Sequence, residues 1–240
     1  MKTPFQYEKG VFPIDGIVQK GDLTLKIQGM KQGFDASQDL TQFAAGLVSA
    51  GYSFVGRYYN INNPSKNLTL AEAKALSAAG IAIIAVWENG YPTEASYFSH
   101  DVGVYDGTSA YYYAHKTIGQ PSGNPIYFAV DYDASTADLA SGIIPYFQGI
   151  ADGFNAISSN SPVYPVGIYG SGLVCQALLG QNLATYAWLA QSSGWQDSSS
   201  FTGYNMKQLM QQLECPTING GVEGDPDVSP NGNEGSFMIS

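Results

Sequence analysis

Eight short apolar runs recur along the chain: "QGFDAS", "SFVGRYYN", "IAIIAVWENG", "IYFAVDYD", "PVGIYGS", "TYAWLAQ", "MKQLMQQL" and "VEGDPDVS". Their length suits strands. Between the first and second lies "DLTQFAAGLVSAGY", helical in period with a stop at Gly51. Between the second and third lies "TLAEAKALSAAGI", where Thr69 and Glu72 form a capping-box pattern and Gly80 stands where a C-terminal cap belongs. "GTSAYYYAHKTIG" and "ASTADLASGIIPYFQGIADGFNAI" serve the next two gaps. Later connections such as "QSSGWQDSSSFTG" are shorter and rich in Ser and Gly, so helices there are expected to be short or missing.

Strand candidates alternating with helices predict an α/β fold, a parallel sheet closed as a TIM-like (β/α)8 barrel over residues 31–240. An open doubly wound sheet is the competing pattern, but no glycine fingerprint for a nucleotide is present. Residues 1–30 alternate loosely around Lys20, Gly21 and Asp22, which predicts a β-hairpin packed outside the barrel, away from its mouth.

A barrel of this kind carries its chemistry at the C-terminal ends of its strands. Asp35 ends the first run, Arg57 and Tyr59 lie near the end of the second, and Glu88 ends the third. Asp131 and Asp133 end the fourth and Tyr169 the fifth; Trp188 lies in the sixth, which Gln191 ends. Gln211 or Gln212 ends the seventh and Asp225 the eighth. In the fourth run, alternation turns Ile126, Phe128, Val130 and Tyr132 to the helices and Tyr127, Ala129, Asp131 and Asp133 to the barrel axis. The two aspartates then point the same way, about 6.6 Å apart along the strand. The mouth is expected to hold up to five carboxylates and one arginine.

Each residue also has a plainer role. Asp35 and Asp133 suit helix N-caps, Glu88 a turn, and Arg57 a structural partner for Asp35 or Glu88. Convergence of acids on several strand ends favours a site over independent caps. Close carboxylates suit glycoside hydrolysis, in which one acid protonates the leaving oxygen while an ionised partner stabilises the oxocarbenium-like state or activates water. Crowding of like charges raises one pKa and supplies that division of labour.

Charge narrows the partners. The chain has 240 residues and a formal charge of −10, and Arg57 is its sole arginine. Such acidity repels phosphate backbones and anionic lipid, so neither nucleic acid nor membrane insertion is expected. No run approaches the roughly 20 apolar residues that span a bilayer. The opening "MKTPFQYEKGVFPIDG" lacks the apolar core of a secretory signal, so a soluble protein is expected, with any export by a route that needs no signal peptide. Cys175 and Cys215, with His100 and His115, lack metal-ligand spacing; no metal and no cofactor are expected.

The order "GFDAS", "FVGRYYN", "VWENG", "YFAVDYD", "VGIYGS", "WLAQ", "GDPDVS" resembles the glycoside-hydrolase-like barrels called domain of unknown function 1906, relatives of the family 25 glycoside hydrolases, the lysozyme-type muramidases. The resemblance runs from about Gly33 to about Ser229. It implies a peptidoglycan substrate and places the family 25 acids at Asp35, at Asp131 and Asp133, and at Asp225. Asp133 stands where that family has its proton-donating glutamate, and Glu88 is an alternative donor from the neighbouring strand. A family 18 chitinase would need glutamate at position 135, where this chain has Ser135. Two functions follow: a glycosidase with Asp133 or Glu88 as acid, Asp131 as ionised partner and Asp35 and Asp225 in support, or a glycan-binding barrel without turnover. The substrate-binding set is Arg57, Tyr59, Tyr169, Trp188, Gln212 and Asp225. A carboxylate cluster holding Ca²⁺ or Mg²⁺ is a third reading.

Overall fold

The computed structural model describes residues 30–158, 162–209, 222 and 224–240. Eight strands close one barrel in chain order: β1 Lys31–Asp35, β2 Phe54–Tyr59, β3 Ala82–Trp87, β4 Ile126–Ala129, β5 Val166–Gly170, β6 Tyr186–Leu189, β7 Met206–Gln208 and β8 Asp225–Ser229. Each falls within or against one of the apolar runs of the sequence. Pairing is parallel from β1 to β7, but β8 runs antiparallel to both of its neighbours. A fully parallel barrel is therefore corrected at one strand. The reversal sets Asp225 opposite Asp35, so Asp225 reaches the mouth by starting β8 rather than ending it. The N-terminal hairpin expected over residues 1–30 lies outside the described residues, save residue 30.

The helices are α1 Ala44–Ser49, α2 Leu70–Ala79, α3 His100–Tyr112, α4 Thr136–Asp138, α5 Ile144–Ser158 and α6 Gly172–Gly180. Thr69 caps α2 by accepting a hydrogen bond from Glu72 N at 3.1 Å, and Gly80 ends it in the left-handed region at φ 88°. Only half of the capping box forms, because the Glu72 carboxylate turns to Leu40 N and Arg57 instead. Residues 190–205, between β6 and β7, contain no helix, as their Ser and Gly content leads one to expect.

Two apolar layers result. Outside the sheet, Val55, Tyr59, Ile83, Phe128 and Ile168 pack against the helices. Inside, Phe54, Ile84, Val86, Tyr127, Trp188 and Met206 fill the barrel beneath its mouth. α3 and α5 meet backbone to backbone: a Cβ on Gly103 would lie 2.0 Å from Tyr146 O, and one on Gly149 would lie 2.1 Å from His100 O. The floor of the barrel is sealed by the segment after β8. Phe237 bridges Ile83, Tyr127 Oη donates to Glu234 O at 2.8 Å, and Lys31 pairs with the buried Glu234 at 2.9 Å.

Candidate active site

Asp35 is the hub of the mouth. Its Oδ1 accepts from Tyr58 Oη at 2.8 Å and its Oδ2 from Gln208 Nε2 at 2.7 Å. Burial pushes its carboxyl up to about 7; the Gln208 and Tyr58 donors hold it down, and the charges of Asp225 and Glu88 push it further up. Gln208 also reaches Asp225 Oδ2 at 3.3 Å, and its Oε1 accepts from Tyr169 Oη at 2.8 Å. This crowding needs Gly56 beneath it, since a Cβ there would lie 2.8 Å from Asp35 Cβ and 3.1 Å from Trp188 Cη2.

Asp227, two residues along β8 and on the same face, sits deeper. It accepts from Trp188 Nε1 at 2.9 Å, while its Oδ2 has no partner. Burial, and secondarily the charge of Asp35, raises its carboxyl well above the usual range. A neutral acid suits both observations, because an ionised oxygen left unpaired in the interior is costly.

Glu88 and Asp131 form the rim nearest solvent, both half-buried. Burial raises Glu88, Lys66 at 3.2 Å pulls it down, and Asp131 pushes it up. Asp131 is raised by burial, lowered by Lys66 and raised by Asp225. The loops that carry the pair are tied: Asp131 N donates to Pro92 O at 2.9 Å, Asn60 Nδ2 donates to Glu88 O at 2.5 Å, and Tyr97 Oη lies 2.6 Å from Asn89 O.

Several expected site residues lie elsewhere. Arg57 and Tyr59 point to the helix layer, on the opposite face of β2 from Tyr58. Arg57 is fully buried and pairs with Glu72 (Nε to Oε1 2.6 Å, Nη2 to Oε2 3.1 Å), and its Nη1 also donates to Ala36 O. Its partner is thus neither Asp35 nor Glu88. Tyr59 Oη donates to Gln120 Oε1 at 2.8 Å. Asp133 lies past the end of β4, where strand alternation no longer operates. It is exposed and accepts from Gln196 N at 2.8 Å, while Ser135 caps the following helix. Gln212 is outside the described residues, and Gln208 supplies the β7 amide.

The mouth accordingly gathers five carboxylates and one cation, with Asp227 in place of Asp133 and Lys66 in place of Arg57. Asp227 was legible in principle, since "DPD" puts two acids on one face of a strand. Lys66 carried no signal; it stands in a polar loop. Among the described residues no group of three His, Cys, Asp or Glu side chains is arranged to hold a metal, and no helix is long and apolar enough to cross a membrane.

A closed eight-stranded barrel with this acidic mouth is the architecture of a glycoside hydrolase-like domain. Residues 45–226 match the Rv2525c-like, glycoside hydrolase-like domain, and the chain belongs to that family. Two uncharacterised proteins of Bacillus subtilis are similar in sequence. YbfG is 37% identical over 155 residues, 61% of this chain and 21% of YbfG. FadG is 31% identical over 194 residues, 77% of this chain and 32% of FadG. The chain thus spans between about a fifth and a third of the curated relatives it matches. Among solved structures, the Tat-secreted protein Rv2525c of Mycobacterium tuberculosis, in complex with L-tartrate, superposes with a TM-score of 0.68 at 18% identity, covering 87% of this chain and 98% of that one. The catalytic domain of endolysin ply40, from a bacteriophage of Listeria monocytogenes, superposes with a TM-score of 0.51 at 13% identity, covering 83% and 92%. At these identities the two structures share the fold.

Proposed function

We propose that the barrel hydrolyses a glycosidic bond of peptidoglycan. Glu88 donates a proton to the leaving glycosidic oxygen. Asp131, ionised, faces the positive charge that develops on the sugar or activates the attacking water. Asp225, with Asp35 in its ionised form, keeps the mouth electronegative, which favours an oxocarbenium-like transition state. Trp188 is buried and serves Asp227 rather than the sugar, whereas Tyr91, 84% exposed on the loop after Glu88, offers a ring on which a sugar can stack. The observation that carries this reading is the shared field of Glu88, Asp131 and Asp35, whose carboxyls are all raised by burial and by one another's charges or those of Asp225. Peptidoglycan as substrate rests on the resemblance to the muramidases and on the fold held in common with the endolysin domain. Such a substrate lies outside the cell, and secretion of Rv2525c fits the same reading.

A second reading, glycan binding without turnover, is favoured by one observation. The side chain of Asp133, which by the resemblance stands where the muramidases have their donor glutamate, is exposed and engaged by Gln196 N. Release of reducing ends from purified peptidoglycan, with a pulldown on the same material, separates the two. Hydrolysis predicts reducing ends from the wild type and none from Glu88→Gln or Asp131→Asn. Binding to the glycan with no reducing ends would establish the second reading.

A further inference from the structure

Lys66 ends a short 3-10 turn after β2 and overhangs the mouth. Its Nζ lies 3.2 Å from Glu88 Oε1 and 5.4 Å from the centroid of the Tyr58 ring, whose hydroxyl holds Asp35. Among the described residues the other cations are occupied or remote. Arg57 is locked behind β2, Lys31 pairs at the barrel floor, Lys207 lies over Tyr204, and Lys74 lies on α2 with Lys116 beyond the end of α3.

This contact poses a problem for the proposed reaction. A proton donor must carry its proton, and an ammonium in contact with a carboxylate favours the ionised form. Glu88 is also faced by Asp35 from β1, Tyr58 from β2, Asp131 from the loop after β4 and Tyr97 from the segment after β3. None of these supplies a positive charge, so removal of Lys66 leaves Glu88 among acids and phenols in a half-buried site. Lys66 is itself 35% exposed on a flexible stem, so it can be drawn away without unpacking the core.

We propose that Lys66 selects a sugar bearing its own carboxylate, and that pairing with this carboxylate draws Lys66 off Glu88 and leaves Glu88 free to take up a proton from solvent. The proposal rests on Glu88 as the donor. A neutral sugar leaves Lys66 on Glu88, where the ammonium disfavours the protonated donor. Selectivity then acts on kcat, through the protonated fraction of Glu88, as well as on binding. Lys66 is a specificity-determining and positioning residue here, not the acid itself.

The test reads Glu88 directly, by carbon-13 NMR titration of its side-chain carboxyl, with no need for turnover. The probes are N-acetylmuramic acid, a hexosamine carrying a lactyl carboxylate, and its neutral counterpart N-acetylglucosamine, each at saturating concentration. N-Acetylmuramic acid is expected to move the Glu88 midpoint up by about one pH unit in the wild type, the scale of a lost ion pair; N-acetylglucosamine is expected to leave it unchanged. In Lys66→Met and Lys66→Gln the midpoint should already be raised and should respond to neither sugar. An equal response to both sugars, no response to N-acetylmuramic acid, or an unchanged response in the Lys66 variants would overturn the proposal. Absence of reducing ends alongside the expected titration would sink the hydrolase reading and leave the selectivity of Lys66 standing.

Discussion

Replacement of Asp35 by asparagine should stabilise the protein in a way that depends on pH. The wild-type carboxyl rises from its usual 3.8 to about 7 in the folded chain. Below pH 3.8 it is protonated in both folded and unfolded states. Between 3.8 and 7 the unfolded chain releases the proton while the native state keeps it, so native stability falls by about 1.4 kcal/mol per pH unit. Above 7 both states are ionised, and the loss levels off at about 4 kcal/mol. Asparagine escapes this loss while keeping both contacts. Its oxygen can accept from Gln208, and its amide can donate to the Tyr58 hydroxyl, which also accepts. Urea unfolding of Asp35→Asn and wild type, followed by tryptophan fluorescence, should give near-equal stability at pH 4. The variant should lead by about 3 kcal/mol at pH 6 and about 4 kcal/mol at pH 8. Turnover should fall at the same time, since the mouth loses part of its negative field. A difference independent of pH, or a variant less stable at pH 8, would refute the account of Asp35 as a buried, unwillingly ionised acid.

Arg57→Met should destabilise by about 3–5 kcal/mol, because it leaves the buried Glu72 charge unpaired, yet the folded fraction should hydrolyse with unchanged KM; denaturation and steady-state kinetics check both. Asp133→Asn should stay within about 0.5 kcal/mol of wild type, since asparagine still accepts from Gln196 N, and should keep its reducing-end release; abolished release would return the donor role to Asp133. Gly149→Ala should destabilise by about 1–3 kcal/mol through overpacking against His100 O, seen as a lowered Tm; a neutral outcome would mean that α3 and α5 are free to part.

The eight strands were legible because each is a short apolar run bounded by turn residues, and that pattern depends on local sequence. Direction is not local, so nothing in "GDPDVS" distinguishes a parallel from an antiparallel β8. Facing failed at β2 for a related reason. Phe54, Gly56 and Tyr58 line the barrel while Val55, Arg57 and Tyr59 meet the helices, and with both faces buried the two sets look alike. An arginine among strand-end residues reads as site chemistry until its partner, Glu72, is found 15 residues on in α2. Along β4 and the residues just past it the alternation holds for Ile126, Tyr127, Phe128, Val130 and Tyr132 and brings Asp131 to the mouth, but it fails at Asp133, which is exposed and bound by Gln196 N. Asp35, Glu88 and Asp131 were legible because a barrel gathers its strand ends whatever their facing.

The reversed strand has a consequence for how this domain can be joined to others. β1 begins at Lys31 and β8 finishes at Ser229, and the two residues are register partners on the floor of the barrel. The chain therefore enters and leaves the sheet side by side, on the end remote from Glu88 and Asp131. A parallel last strand would have finished at the mouth and required another helix to bring the chain back. A segment joined to either end of the sheet is thus tethered behind the barrel, like a tool held by its handle. The mouth then stays clear of whatever is joined at that end.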